Sequence, residues 1–69
     1  MNITFSQNLK GLRTDLGLKQ EELASQLGVT QRKVSYWETG KIEPDLVSLW
    51  KLADFFDTTI DCLIGRKEY

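Results

Sequence analysis

The 69-residue chain has no histidine, one cysteine and one proline. The single cysteine, Cys62, excludes a disulfide within the chain, and a structural zinc site would lack its usual nitrogen and sulfur ligands. Acid–base catalysis needs converging titratable groups, and covalent catalysis needs an activated serine or cysteine. The sequence shows neither pattern, so we expect no enzyme, no metal and no cofactor. We interpret Cys62 as a packing residue, and a lone thiol is typical of a reducing cytoplasm.

Long apolar runs are also missing. No stretch approaches the ~20 apolar residues of a membrane span, and the first residues lack the basic-then-apolar pattern of an export signal. We therefore expect a soluble cytoplasmic protein with no membrane partner. The length predicts one domain over residues 1–69, with a thin core and no room for a small-molecule ligand.

Charge of one sign is not in excess. The chain carries nine basic and ten acidic residues, a formal net charge of −1. Residues 1–41 hold six basic and four acidic side chains, a net charge of +2, and residues 42–69 hold three basic and six acidic, a net charge of −3. A positive first part permits contact with a polyanion, although nucleic-acid-binding domains are usually more basic overall.

Residues 20–39 predict two short helices joined by a tight turn. Gly28 directly follows the apolar residues of the first helix, where a helix end with positive φ favours glycine. The hydroxyl of Thr30 can then cap the second helix. The apolar positions that define the two inward faces are Leu23, Ala24 and Leu27, followed by Val34 and Trp37.

The rest of the chain predicts three more helices. The first lies within residues 1–17, with a possible capping box from Thr4 to Gln7 and an end at Gly17. Its apolar face contains Phe5, Leu9, Leu12 and Leu16.

Asp45 caps the fourth helix after Pro44. The core stripe of this helix is Leu46, Leu49, Leu52, Ala53 and Phe56. Trp50 and Phe55 fall off the stripe, which indicates either a wider buried arc or a partner surface.

A short fifth helix follows at residues 60–64, between Thr59 and Gly65. Asp57 stands where a left-handed residue is expected. Residues 66–69 read as a frayed tail beyond a core of about residues 5–65.

These segments resemble the Cro and phage-repressor family, also called the XRE family. The stretch QEELASQLGVTQRKVSYWET carries the helix-turn-helix spacing, and LRTDLGLKQEELA, ETGKIEPD and LADFFDTTIDCLIG are similar to its framing segments. The resemblance implies an all-α, compact, five-helix lambda-repressor-like DNA-binding domain, with the helix-turn-helix formed by helices 2 and 3 and helix 3 in the major groove.

The resemblance also implies a function. It suggests a sequence-specific transcriptional regulator that binds a double-stranded DNA operator as a homodimer, a repressor of phage or mobile-element type that occludes a promoter. An antitoxin, a restriction–modification controller protein and a protein-interaction module that no longer binds DNA remain alternatives. A solvated polar helix face is the plainer interpretation of helix 3, and the turn and packing pattern favour a recognition helix instead.

Candidate site residues follow from the outward face of helix 3 and from the family. At about 100° per residue, Arg32, Ser35, Tyr36 and Thr39 lie opposite Val34 and Trp37. We expect base reading from Gln31, Arg32 and Tyr36. We expect phosphate contacts from Lys19, Gln20, Lys33, Ser35 and Lys41, of which Gln20 is assigned by the family. By resemblance, Arg13 and Glu38 form a structural salt bridge. Candidates for the dimer interface are Trp50, Phe55, Ile60, Cys62 and Ile64.

Overall fold

The computed structural model describes residues 3–66, and these residues form five α-helices and no strand. The helices are α1 (Phe5–Asp15), α2 (Gln20–Leu27), α3 (Gln31–Thr39), α4 (Leu46–Phe55) and α5 (Ile60–Ile64). The predicted all-α fold and its helix order are confirmed. Residues 1–2 of the predicted first helix and residues 67–69 of the predicted tail lie outside the described residues.

The core forms where α3 packs between α1 and α2, with α4 and α5 closing the other side. Trp37 is the largest fully buried side chain, at 1% exposure. Around it lie the other buried apolar residues: Phe5, Leu9, Leu23, Ala24, Leu27, Val34, Leu52, Ala53 and Leu63. Both apolar residues of α3 are therefore used for anchoring, and its polar residues other than Glu38 are left to face outward.

The helix-turn-helix follows the predicted local chemistry. Gly28 adopts φ 71° and ψ 30°, and the next backbone N–H, of Val29, donates to Ala24 O at 3.0 Å. Thr30 Oγ1 accepts from Lys33 N at 3.2 Å and so caps α3. These local bonds fix the angle between α2 and α3 within a three-residue connection.

The ends of α1 differ from the prediction. Thr4 occupies the N-cap position but makes no capping bond, because its backbone is not extended and its Oγ1 accepts from Asn8 Nδ2 at 3.0 Å. The predicted capping box with Gln7 is therefore wrong. Leu16, predicted to be buried, is 58% exposed. Arg13 takes the buried position in the last turn of α1 instead.

The first turn of α4 also corrects the prediction. Leu52 and Ala53 are buried as expected, and Leu49 and Phe56 pack against the core. Leu46, however, is 81% exposed. A helical stripe gives the direction of a side chain but not the place where neighbouring helices stop, and α4 packs mainly on α2 and α5 through its later turns.

Asp45 stands at the N-cap of α4 in extended backbone, but its carboxylate makes no capping bond to the helix. The side chain of Ser48 nevertheless holds the pKa of the Asp45 carboxyl below its usual value. The predicted N-cap position of Asp45 is thus confirmed, but the predicted capping hydrogen bond is absent.

The N-terminus of α1 is tied to the C-terminus of α5. Thr4 N donates to Ile64 O at 3.1 Å, and Asn8 Nδ2 donates to Cys62 O and Leu63 O, each at 3.1 Å. A helix leaves its last carbonyls without intrahelical partners, and Asn8 satisfies two of them. These bonds hold α1 in place, and α1 in turn carries the arginine that reaches α3.

Two further local predictions are confirmed near α5. Thr59 Oγ1 accepts from Cys62 N at 3.1 Å and caps the helix. Asp57 has φ 52°, the left-handed conformation expected there.

Candidate nucleic-acid interface

The outward face of α3 is set by its two buried anchors. Val34 and Trp37 are 0% and 1% exposed, so the residues between and before them point away from the core. Gln31, Arg32 and Thr39 are exposed, and Lys33, Ser35 and Tyr36 are half-buried. The helix therefore presents a polar ridge that rests on an apolar base.

Arg13 and Glu38 meet beneath this ridge in a two-point ion pair. Arg13 Nε lies 2.6 Å from Glu38 Oε2, and Arg13 Nη2 donates to Glu38 Oε1 at 3.0 Å. The remaining terminal nitrogen, Nη1, donates to Leu18 O at 2.6 Å. The hydrogen bonding between Glu38 and Arg13 raises the pKa of the Arg13 guanidinium, so this group stays charged. The side chains of Arg13 and Glu38 are only 11% and 2% exposed, so this buried ion pair connects α1 to the end of α3.

Gln20 continues this network to the first residue of α3. Its Nε2 donates to Glu38 Oε1 at 3.1 Å, and its Oε1 accepts from Gln31 Nε2 at 3.2 Å. A carboxylate only accepts, so the Gln20 nitrogen must face Glu38 and its oxygen must face Gln31. The buried charge therefore fixes which end of the Gln31 amide points toward the protein.

The contact of Gln20 with Gln31 was not anticipated from the sequence. The two residues are eleven positions apart and on different helices, and their spacing carries no periodic signal. The sequence placed Gln20 among phosphate contacts, and the structure shows that its amide already bridges two helices.

The candidate lysines occupy different edges of the ridge. Lys19 is exposed at the start of α2, where its backbone N–H donates to Glu22 Oε1 at 2.9 Å. A shallow depression is lined by Lys19, Gln20 and Gln31 together. Lys33 Nζ lies 5.9 Å from the centroid of the Trp37 ring, and Lys41 Nζ lies 5.2 Å from the centroid of the Tyr36 ring.

The candidate dimer residues separate into two groups. Trp50 and Ile60 are exposed, at 67% and 38%. Phe55, Cys62 and Ile64 are half-buried, and Phe55 packs edge-on against Phe56 with the ring centroids 5.0 Å apart. Phe55 is therefore committed largely to the core.

An exposed apolar patch on α4 went unrecognised in the sequence. Leu46, Val47 and Trp50 lie at helical spacing and are 81%, 59% and 67% exposed. The sequence pattern marks only Trp50 as a candidate, because Leu46 fits the core stripe of the helix. We call these three residues the α4 patch.

Other kinds of site find little support in residues 3–66. These residues contain no group of three or more histidine, cysteine, aspartate or glutamate side chains placed to hold a metal ion. None of their helices is long and apolar enough to cross a membrane.

Comparison with protein families gives a match over most of the chain. The model of a family described as helix-turn-helix matches residues 9–61. The HTH-type transcriptional activator BcrR of Enterococcus faecalis is 44% identical over 93% of this chain and 31% of its own length. The cryptic phage CTXphi transcriptional repressor RstR of Vibrio cholerae is 34% identical over 93% of this chain and 58% of its own length. The chain thus spans between about a third and three fifths of these two relatives.

Solved structures give the same fold. A transcriptional regulator from Listeria innocua superposes on the whole chain with a TM-score of 0.91 and 35% identity, over 64% of its own length. The restriction–modification controller protein C.AhdI from Aeromonas hydrophila superposes with a TM-score of 0.79 and 38% identity, over 88% of this chain and 92% of that one.

Proposed function

Since the chain belongs to the XRE-type helix-turn-helix family of DNA-binding transcriptional regulators, we propose that it is a homodimeric repressor that binds a double-stranded operator and occludes a promoter. The observation that carries this proposal is the polar ridge of α3. Its candidate readers Gln31 and Arg32 are exposed and Tyr36 is half-buried, while its apolar residues are fully buried. In the helix-turn-helix docking geometry, such a second helix lies in the major groove.

Gln31 is the best-defined reader. One N–H of its amide is held by Gln20, which leaves a second N–H and the Oε1 oxygen for a base edge. This donor and acceptor pair complements N7 and N6 of adenine in the major groove. The fixed orientation of the amide favours adenine over the other bases.

Arg32 and Tyr36 lie one helical turn apart on the same side of α3. The exposed guanidinium of Arg32 fits O6 and N7 of guanine. The half-buried ring of Tyr36 fits a thymine methyl group or the groove wall.

Backbone contacts come from the edges of the ridge. Lys19 cannot accept a hydrogen bond, so it leaves the first backbone N–H groups of α2 available to a phosphate. Lys33, Ser35 and Lys41 flank the readers, and the second N–H of the Gln20 amide can also reach a phosphate. These contacts set the register of α3 and carry no base preference of their own.

Dimerisation is needed because one recognition helix touches only a few base pairs. Two copies would place their α3 helices on half-sites about one turn of DNA apart, ~34 Å. The α4 patch and the exposed Ile60 are the apolar surfaces that such a dimer can cover.

The relatives include both an activator and a repressor of transcription, so the choice of repression needs its own reason. BcrR is described as an activator and RstR as a phage repressor. A small domain bound across a promoter blocks polymerase by occupancy alone. Repression therefore requires only DNA binding from this chain, whereas activation also requires a contact with polymerase. A restriction–modification controller protein is the second candidate, because C.AhdI matches this chain over nearly its whole length.

The test is selection of bound sequences from a random DNA library, followed by binding measurements on the selected operator. We expect two half-sites related by a two-fold axis. Gln31→Ala and Arg32→Ala should each lose about 1–3 kcal/mol of binding free energy and relax the preference at one base position per half-site. Lys33→Gln should weaken all sequences alike and lower the salt slope by about one per protomer.

Lys51→Gln on α4 is the matched control, because Lys51 is an exposed lysine away from the ridge. It should leave both the affinity and the salt slope unchanged. Failure of the library to yield any enriched sequence, together with weak binding that barely responds to salt, would favour the protein-interaction module instead.

A further inference from the structure

The turn after α3 brings Lys41 back over the recognition helix. Gly40 adopts φ 78° and ψ 11°, and Lys41 N donates to Tyr36 O at 2.9 Å. This bond closes the end of the helix and directs the chain backward along it. The side chain of Lys41 is thereby set beside the residue whose carbonyl its backbone holds.

The Lys41 ammonium lies over the ring of Tyr36. Its Nζ is 5.2 Å from the ring centroid, inside the range of about 6 Å within which a cation is attracted to an aromatic face. The corresponding contact of Lys33 with Trp37 is longer, at 5.9 Å, and involves a ring that the core already fixes. Tyr36 is different, because it is half-buried and lies on the outward side of α3.

We propose that Lys41 is a positioning residue for Tyr36: its ammonium covers one face of the ring and holds the phenol in the orientation that meets a base pair. This role is additional to the phosphate contact of Lys41, and its effect on base reading rests on the proposed function. The two roles differ in what they predict. A phosphate contact supports every DNA sequence equally, whereas positioning of Tyr36 affects one base position.

The first experiment tests the contact in the free protein by NMR. A methylene group beside an aromatic face is shifted upfield by the ring. We expect the Lys41 side-chain methylene protons to resonate upfield of those of the exposed Lys51, and the difference to vanish in Tyr36→Leu. Equal shifts for the two lysines in the wild-type protein overturn the proposal without any reference to DNA.

The second experiment measures binding to the selected operator and to operators changed at each base pair. Lys41→Met removes the charge and keeps a long side chain. We expect it to reduce the preference at the base pair that Tyr36→Leu also affects, by about two- to fivefold. Lys41→Arg, which retains a cation able to stack on a ring, should restore the preference. Lys51→Met is the matched control and should change nothing.

A double variant separates positioning from a phosphate contact. In the Tyr36→Leu background, Lys41→Met should have no further effect on base preference, because the ring through which it acts is gone. If Lys41→Met instead lowers the affinity for all sequences by one factor, and does so equally with and without Tyr36, Lys41 is a phosphate contact alone and the proposal is wrong. If the library yields no preferred sequence, the proposed function fails, and the role of Lys41 in base reading fails with it even where the NMR contact is present.

Discussion

At the scale of single residues, Glu38 connects the core to the polar ridge of α3. Its Oε2 accepts from Arg13 Nε, and its Oε1 accepts from both Arg13 Nη2 and Gln20 Nε2. Gln20 Oε1 in turn accepts from Gln31 Nε2, which orients the Gln31 amide. The orientation of an exposed amide is therefore set by a carboxylate that is 2% exposed and lies two helical turns further along α3.

Removal of the Glu38 carboxylate should affect folding strongly. Glu38→Ala leaves the buried Arg13 guanidinium without its anion, so we expect the free energy of unfolding to fall by about 3–5 kcal/mol. Urea denaturation followed by circular dichroism measures this loss. Gln31→Ala, at the exposed end of the same network, should change the stability by less than about 0.5 kcal/mol.

The double variant Arg13→Met/Glu38→Leu tests the physical reason. Replacing both charges by apolar groups removes the unpaired ion, so it should cost much less than Glu38→Ala alone. A double variant that is less stable than Glu38→Ala would show that the pair contributes through its own attraction rather than by avoiding a buried charge.

At the scale of helices, the sequence predicted what local chemistry decides and failed where distant packing decides. Thr30 and Thr59 cap their helices as expected, because a cap needs only a hydroxyl and the next turn. Leu46 and Leu16 were placed in the core and are exposed, because periodicity does not show where a neighbouring helix ends. The Gln20–Gln31 contact joins two helices and had no signal in the sequence at all.

Two glycines that end helices should respond differently to the same substitution. Gly40 and Gly65 have φ 78° and 86°, so alanine is strained at both by about 1–2 kcal/mol. A Cβ at Gly40 meets open space, whereas one at Gly65 collides with Thr4 Oγ1 and lies 3.2 Å from Thr4 Cβ. We expect Gly65→Ala to cost about 2–4 kcal/mol in total, because Thr4 must move away from the end of α5.

Urea denaturation of the two glycine variants checks this difference. Thr4→Ala should recover part of the extra loss in Gly65→Ala and none of the loss in Gly40→Ala. Equal losses at the two glycines would mean that the bonds between α1 and α5 do not constrain the end of α5.

At the scale of the whole molecule, the polar ridge of α3 and the α4 patch lie on different elements. Residues 1–41 carry the net positive charge and all the candidate readers, and residues 42–69 carry the net negative charge and the α4 patch. If the chain binds DNA as proposed, DNA should repel the acidic part and attract the basic part, which would orient the protein before contact. The α4 patch is then left for a partner other than DNA, and the proposed partner is a second copy of the chain.

Trp50 is the residue of the α4 patch whose loss should be most informative. A tryptophan that becomes buried at an interface commonly contributes at least about 2 kcal/mol, so Trp50→Glu should weaken dimerisation by roughly 30-fold or more. Because Trp50 is 67% exposed in the single chain, its replacement should leave the folded state intact, as circular dichroism would show.

Sedimentation equilibrium of the free protein and of its operator complex measures the number of copies. Leu16→Glu is the matched control, since Leu16 is an exposed leucine, at 58%, that directly follows α1 and lies outside the patch. If Trp50→Glu still assembles as two copies on the operator with wild-type affinity, the α4 patch is not the dimer surface, and Ile60 on α5 becomes the next residue to change.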